Sequence, residues 1–379
     1  MAIENIRQRI NDVDNKMLEL FLERIALSEQ VAQSKKAAGL PIVNRERERE
    51  VLARMMEKAG DKDEYAYQLF TKLIDLSKAR QREVYAGDTK VRSIVESALL
   101  PVDELLPKKG SVAVQGIEGA NAQVACDKML PMGNILYVKT FDAVFNAVES
   151  GFCEYGVLPI ENNTNGSVRT VYELLLRKNF SIIRATSLHI RHELMVKPGK
   201  KLEDITEIYS HEQAIGQCGE FLTSLGSSVK VIPCANTAIA AKIASECPDG
   251  HIASISNPAC AELYGLEVLR DDIQNNANNY TKFILIRKNP TIYAGADRIS
   301  IVLACPNRPG ALGDILALFS SRGINMVKLE SVPVTGRNFE FMFYIELAAS
   351  VRDAGVLPIL EELERTCEGF TFLGNYQMS

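Results

Sequence analysis

Residues 6–35 read IRQRINDVDNKMLELFLERIALSEQVAQSK, and this stretch decides how the chain begins. Ile6, Ile10, Val13, Met17, Leu20, Leu27 and Val31 recur at helical spacings once Arg24 is counted among them. That is the apolar stripe of one long amphipathic helix. Arg24 takes a stripe position where an apolar residue is expected, and Arg7 and Lys35 lie on the neighbouring stripe with Leu18, Phe21 and Ile25. A helix turns charge toward its core when an anion meets it there. At about 1.5 Å of rise per residue, Arg7 and Arg24 are about 25 Å apart. One small molecule cannot touch both on one helix, so a shared ligand requires Arg7 from a second copy of the chain.

The rest of the chain bounds the answer. Its 379 residues make room for two to four domains, and an apolar fraction of 46% supplies ordinary cores. The net charge of -5 argues against a nucleic-acid partner. No long uncharged apolar run exists, so no membrane span is expected. The mixed-charge N-terminus does not read as a signal peptide. The eight Cys are scattered without a CxxC pair, which points to reduced thiols in the cytoplasm. The four His form no metal-ligand spacing, and neither a metal nor a cofactor is expected.

Three regions differ in pattern. Residues 1–87 read as helix only: a first helix stopped by Gly39-Leu40-Pro41, a second capped by Asn44 and running to Arg54, and a third starting at Asp61 or Asp63. So thin a domain is expected to gain its core by dimerising. Residues 88–109 read as a polar connector. From 110 to 288, buried strands such as Val112–Val114 and Tyr155–Ile160 alternate with helices, the pattern of a mostly parallel sheet in two α/β lobes around a cleft. Residues 297–379 follow the order βαββαβ of a ferredoxin-like α+β unit, with Pro309-Gly310-Ala311-Leu312 at the first strand-to-helix turn.

In the helical region Arg24 and Lys35 are nearly eclipsed around the axis, Arg47 and Glu48 open the second helix, and Ser77 and Gln81 share a face of the third. Singly these fit a salt-bridged helical dimer. Together, Arg7, Arg24, Lys35, Arg47-Glu48, Ser77 and Gln81 resemble the helical chorismate mutase family, with Asn44 where some members carry Asp. The resemblance implies an all-α domain that rearranges chorismate to prephenate. It assigns Arg24 and the partner's Arg7 to carboxylates, Lys35 and Gln81 to the ether oxygen, Glu48 to the ring hydroxyl, and Arg47 and Ser77 to the rest of the pocket. Charge stabilisation and selection of the reactive conformer suffice for such a reaction.

Four polar clusters follow buried strands in the second region: 156–168, 209–218, 236–238 and 279–283. That is where α/β sheets bind ligands, although turns and caps have the same composition. Leu158-Pro-Ile-Glu-Asn162, Ser210-His211 with Gln213 and Gln217-Cys218, and Thr281-Lys282-Phe283 resemble prephenate dehydratase, a two-lobed fold like that of periplasmic binding proteins. The resemblance makes Thr281 the essential hydroxyl, a donor to the leaving group. It makes Glu161, Asn162, Ser210, His211, Gln213, Thr237, Lys282 and Phe283 substrate-binding candidates. The family's Gly-Pro-x-Gly loop appears here as Gly116-Ile-Glu-Gly119, and its signature Arg as Lys282. Lys keeps the charge and loses the bidentate fork.

The third region resembles the ACT domain. That likeness implies an effector site for phenylalanine from Asn307, Pro309, Gly310, Ala311, Leu312, Glu330 and Ser331, with Val332 where the family has Arg; a ligand-free dimerisation module has the same outline. The expectation is a multidomain homo-oligomer that makes prephenate from chorismate and phenylpyruvate from prephenate under phenylalanine feedback. The rival is a chorismate mutase fused to a weak or non-catalytic dehydratase-like amino-acid sensor.

Overall fold

The computed structural model describes residues 3–40, 44–85, 89–305, 310–333 and 341–379, which form two compact units. Residues 1–93 with 358–366 make the first, and residues 94–357 with 367–379 the second.

The first unit is built on the helices Ile3–Ala37, Arg45–Ala59 and Asp63–Tyr85. Asn44 is the expected N-cap: its Oδ1 accepts from the Arg47 backbone N at 3.0 Å. The second helix runs past Arg54 to Ala59, and a short turn at Gly60–Lys62 leads into the third. Gly39 adopts φ 65 after the first helix; Pro41, expected to help end it, lies outside the described residues. Packing revises the reading of the first helix. The side turned to the third helix carries Phe21, Arg24, Ile25, Ser28, Ala32 and Lys35, and small Ser28 and Ala32 are buried there. The apolar stripe faces outward: Ile10, Val13, Met17 and Leu20 are 51–66% exposed. Arg24 thus belongs to the helix–helix seam, and the stripe is a second, unused face.

The connector expected over 88–109 carries a helix, Lys90–Ala98, whose Val91, Val95 and Ala98 are buried. In the second unit the two-lobed organisation holds, but the expected mostly parallel sheet is mixed in both lobes. The first lobe orders its strands Met132–Val138, Lys109–Gln115, Tyr155–Asn162, Tyr280–Arg287, Ser181–His189. The first three are parallel, and Tyr280–Arg287 is antiparallel to both neighbours. That strand returns from the second lobe, so it enters its sheet in the opposite sense. The second lobe orders Glu267–Arg270, Glu193–Val196, Ile252–Ser256, Glu207–His211, Lys230–Cys234, again part parallel and part antiparallel.

The last region shows the expected βαββαβ order: Arg298–Ala304, Ala311–Ser321, Asn325–Pro333, Phe341–Ala348, Val356–Thr366 and Glu368–Met378. Its strands pair antiparallel, and the final one goes further: Gln377 and Met378 pair parallel with Arg184 and Ala185 of the first lobe. One sheet therefore runs from the terminal region into the first lobe. At the junction Gly374 has φ 145, and a Cβ there would collide with the Ile182 backbone. A single core serves both, with Val302, Tyr344, Leu373 and Tyr376 packed among Tyr172, Ile182, Ala185 and Ile284.

Candidate active sites

In the helical unit the seam between the first and third helices gathers four of the expected residues. Arg24 donates to the Leu73 carbonyl at 2.7 Å and to the Ser77 hydroxyl, and Lys35 Nζ lies 3.5 Å from Gln81 Oε1. Ser77 and Gln81 are buried, and burial lowers the Arg24 pKa from its ordinary value. Glu48 is drawn to the third helix by Lys78, at 3.2 Å, a residue the sequence reading had not singled out. Two expected residues stand apart. Arg47 pairs with Glu50 at 2.9 Å on the exposed face of its helix, and Arg7 lies near Glu4 at 3.7 Å with 70% of its side chain exposed.

In the second unit a cleft of about 280 Å³ is lined by residues of both lobes. Gln115, Gly116, Asn121, Asn162, His211, Gln213, Asn236, Thr237, Thr281 and Phe283 are on its wall. Two helices, Asn121–Met129 and Thr237–Glu246, start there, and helix N-termini offer free N–H groups to anions. Among the described residues on its wall none is Lys, Arg, Asp or Glu, so an anion in this cleft meets side-chain amides, hydroxyls, imidazoles and helix N-termini.

Thr281 is held by Asn162. The Asn162 Nδ2 donates to Thr281 Oγ1 at 2.9 Å, and the Asn162 Oδ1 accepts the backbone N–H of Thr164 and Asn165 at 3.0 and 2.9 Å. A hydroxyl that already accepts keeps its own proton for another partner, here on the cleft side. His211 caps the following short helix through Nδ1, 3.3 Å from Gln213 N, and Asn236 caps the Thr237 helix at 2.7 Å.

Three expected substrate contacts are corrected. Ser210 is fully buried and donates to the Ile255 carbonyl at 2.7 Å, fixing the strand rather than facing the cleft. Glu161 turns the other way from Asn162 and meets Lys328 at 2.9 Å. Lys282 turns away from Thr281 and meets both Glu346 oxygens at 2.6 and 2.5 Å. Sequence reasoning also passed over Gln217 and Asn279 as site residues, although it quoted both, and missed His192, which no motif marks. All three join the Asn162–Thr281 network: Asn162 Nδ2 meets Asn279 Oδ1 at 2.8 Å, Asn279 Nδ2 meets Gln217 Oε1 at 3.1 Å, and His192 Nε2 meets that oxygen at 2.8 Å.

Of the expected effector residues, Asn307 and Pro309 lie outside the described residues. Gly310 has φ 79 at the start of its helix, Ala311 is buried, Leu312 is half-buried and Ser331 exposed. Glu330 accepts from the Ser167 hydroxyl of the first lobe. Its neighbour in space, Lys328, lies 2.9 Å from Glu161, 3.1 Å from Glu330 and 2.7 Å from Ser167 Oγ. Burial opposes the Lys328 charge, but Tyr172 and Glu161 outweigh it, and its pKa is raised. Elsewhere Cys247, Asp249 and His251 bring their polar atoms together, and hydrogen bonds from Cys247 and His251 hold the Asp249 carboxyl down at about 2.

Residues 6–82 match the family model of chorismate mutase type II, residues 112–291 that of prephenate dehydratase, and residues 299–365 that of the ACT domain. The arogenate dehydratase/prephenate dehydratase 2 of Arabidopsis thaliana is 32% identical over 328 residues, 79% of this chain and 85% of the relative. The bifunctional chorismate mutase/prephenate dehydratase of Escherichia coli (strain K12) is 27% identical over 385 residues, 98% of this chain and 95% of the relative. Among solved structures, the Arthrobacter aurescens prephenate dehydratase in complex with L-Phe is 28% identical, with TM-score 0.63 over 70% of this chain and 89% of that one.

Proposed function

The chain belongs to the prephenate dehydratase family, in the form with a chorismate mutase domain before the dehydratase and an ACT domain after it, and we propose how its residues carry out the two reactions. It converts chorismate to prephenate and prephenate to phenylpyruvate.

In the first reaction Arg24, steadied by Leu73 and Ser77, holds a carboxylate, and the Lys35–Gln81 pair hydrogen-bonds the ether oxygen as its bond breaks. Glu48 binds the ring hydroxyl. Arg7 of the partner subunit supplies the remaining cation. The outward stripe of Ile10, Val13, Met17 and Leu20 supports a homodimer, because it leaves a continuous apolar face uncovered in one chain.

In the second reaction the ring carboxylate leaves as carbon dioxide. Its C–C bonding electrons enter the ring, the ring becomes aromatic, and the hydroxyl takes up one proton from solvent and departs as water. Thr281 donates a hydrogen bond to that hydroxyl. The observation that carries this reading is the Asn162 Nδ2–Thr281 Oγ1 bond at 2.9 Å, which leaves the threonine proton for the substrate. Neutral amides and two helix N-termini hold the carboxylates. Phenylalanine acts at the ACT domain, which the L-Phe complex of the Arthrobacter relative supports. Eight thiol cysteines and the lack of a helix long and apolar enough to cross a membrane among the described residues fit a cytoplasmic enzyme. The deciding experiment gives purified protein prephenate and follows phenylpyruvate. The unmodified chain is expected to form it and Thr281→Ala to form almost none, while both still rearrange chorismate. A fully active Thr281→Ala would remove Thr281 from the mechanism.

A further inference from the structure

The buried amides behind Thr281 have their orientations forced from one end. Asn162 Oδ1 accepts two backbone N–H groups, from Thr164 and Asn165. A backbone N–H cannot be turned round, so Asn162 must point its Nδ2 away from that turn. Each following group is then determined. Asn279 presents Oδ1 to Asn162 at 2.8 Å and so presents Nδ2 to Gln217 at 3.1 Å. Gln217 answers with Oε1, and His192 Nε2, 2.8 Å from the same oxygen, must carry a proton. In that tautomer Nδ1 is a bare acceptor, and Nδ1 of His192 is a buried atom without a hydrogen-bond partner. The opposite tautomer would bury an unpaired N–H and set two acceptors face to face, which costs more.

The consequence falls on Gln217. Its oxygen is engaged by two buried donors, Asn279 and His192, the latter also bordering the cleft, and its amide nitrogen is left for the cleft, which Gln217 lines. Turned round, Gln217 would present a carbonyl oxygen to a carboxylate. In a cleft wall without a lysine or arginine, that reversal removes one of few donors and adds a repulsion. His192 and Asn279 are 3% and 2% exposed, so solvent cannot take over their roles easily.

We propose that His192 and Asn279 are positioning residues for the dehydratase reaction, which lock the Gln217 amide with its nitrogen toward the substrate. The proposal rests on the dehydratase reading of the cleft. Asn279 is not on the cleft wall and His192 only borders it with 3% of its surface exposed; both act through Gln217.

The test uses the full chain, with prephenate kinetics as readout and chorismate mutase activity as the control for folding. The amide nitrogen of Gln reaches as far as His Nε2, whereas that of Asn reaches only as far as Nδ1. His192→Gln is therefore expected to stay within about threefold of the unmodified kcat/KM, while His192→Asn and His192→Leu lose about 30-fold, the range of one hydrogen bond to a charged group. In a Gln217→Ala background the three His192 variants should become indistinguishable. Asn279→Asp replaces the donor by an acceptor and should reproduce the loss, also only when Gln217 is present; it carries the test if His192→Leu does not fold. An unimpaired His192→Leu chain, or equal losses for Gln, Asn and Leu at position 192, or losses that persist without Gln217, would overturn the proposal. A harmless Gln217→Ala would instead count against the reading of the cleft itself.

Discussion

Lys282 Nζ lies 2.5 and 2.6 Å from the two carboxylate oxygens of Glu346, and so ties the residue next to Thr281 to the ACT sheet. Consecutive residues on a strand face opposite sides, so one strand presents Thr281 to the cleft and Lys282 to the terminal region. The pair is largely withdrawn from solvent, with side chains 14% and 4% exposed. Removing Glu346 leaves Lys282 without its counter-ion, at about 3–5 kcal/mol; removing Lys282 leaves Glu346 only the more distant Arg298, at 3.9 Å; replacing both by apolar groups costs far less. Lys282→Met and Glu346→Leu should each destabilise the protein strongly in urea titrations, and the double variant should recover most of the loss. Additive losses would show that the two residues act separately.

Lys328 makes a second tie, to Glu161 and Ser167 on the hairpin that carries Asn162 and to Glu330 on its own strand. An effector at the proposed site near Glu330 would therefore act on the segment that orients Thr281. Lys328→Met should keep L-phenylalanine binding, measured by calorimetry, while the concentration needed to inhibit prephenate turnover rises at least about tenfold, the usual size of a coupling free energy. Unchanged inhibition would place the coupling elsewhere.

Much of this was legible beforehand because it is local. The Asn44 cap, the βαββαβ order and the polar clusters at strand ends each depend on a few adjacent residues. The misassigned residues share one cause. Glu161, Ser210 and Lys282 sit next to Asn162, His211 and Thr281, which do line the cleft, and strand alternation sends each neighbour to the other face. Period-two bookkeeping would have separated them; proximity to a motif did not. The outward turn of the first helix's apolar stripe was hidden for a different reason. An apolar stripe records that a face is buried, not whether a neighbouring helix or a second chain buries it. His192 had no signal at all, since its role comes from residues distant in sequence.

The division of the mutase site between two chains can be tested by mixing. Arg24 bonds Leu73 and Ser77 in the seam, while Arg7 stands exposed near Glu4. Arg7→Ala and Arg24→Ala homodimers should each lose about 10–10² in kcat/KM for chorismate, the range of one charged hydrogen bond to a carboxylate. A heterodimer of the two variants contains one site with both arginines intact. Mixed chains should recover a quarter of the unmodified activity, about the share expected from random re-pairing and one good site in two. No recovery after verified subunit exchange would mean that both arginines serve the same chain.

Acid stability gives an independent view of His192. Burial lowers its pKa from 6.5, and the hydrogen bond it donates to Gln217 only partly opposes this. A histidine that resists protonation in the folded state still takes up a proton below 6.5 when unfolded. The unfolded chain then binds more protons, so this contribution is complete above the unfolded pKa and is lost as the pH falls below it. The slope from one such group cannot exceed about 1.4 kcal/mol per pH unit. The other three histidines are the same in His192→Gln, so the difference between that variant and the unmodified chain isolates this one. Urea titrations between about pH 5.5 and 8 should show the unmodified chain losing more stability on acidification than His192→Gln, with the gap closed at the alkaline end. Parallel loss in both proteins would mean that His192 titrates in the folded protein as it does in the unfolded chain, and that its imidazole is not held neutral in the network.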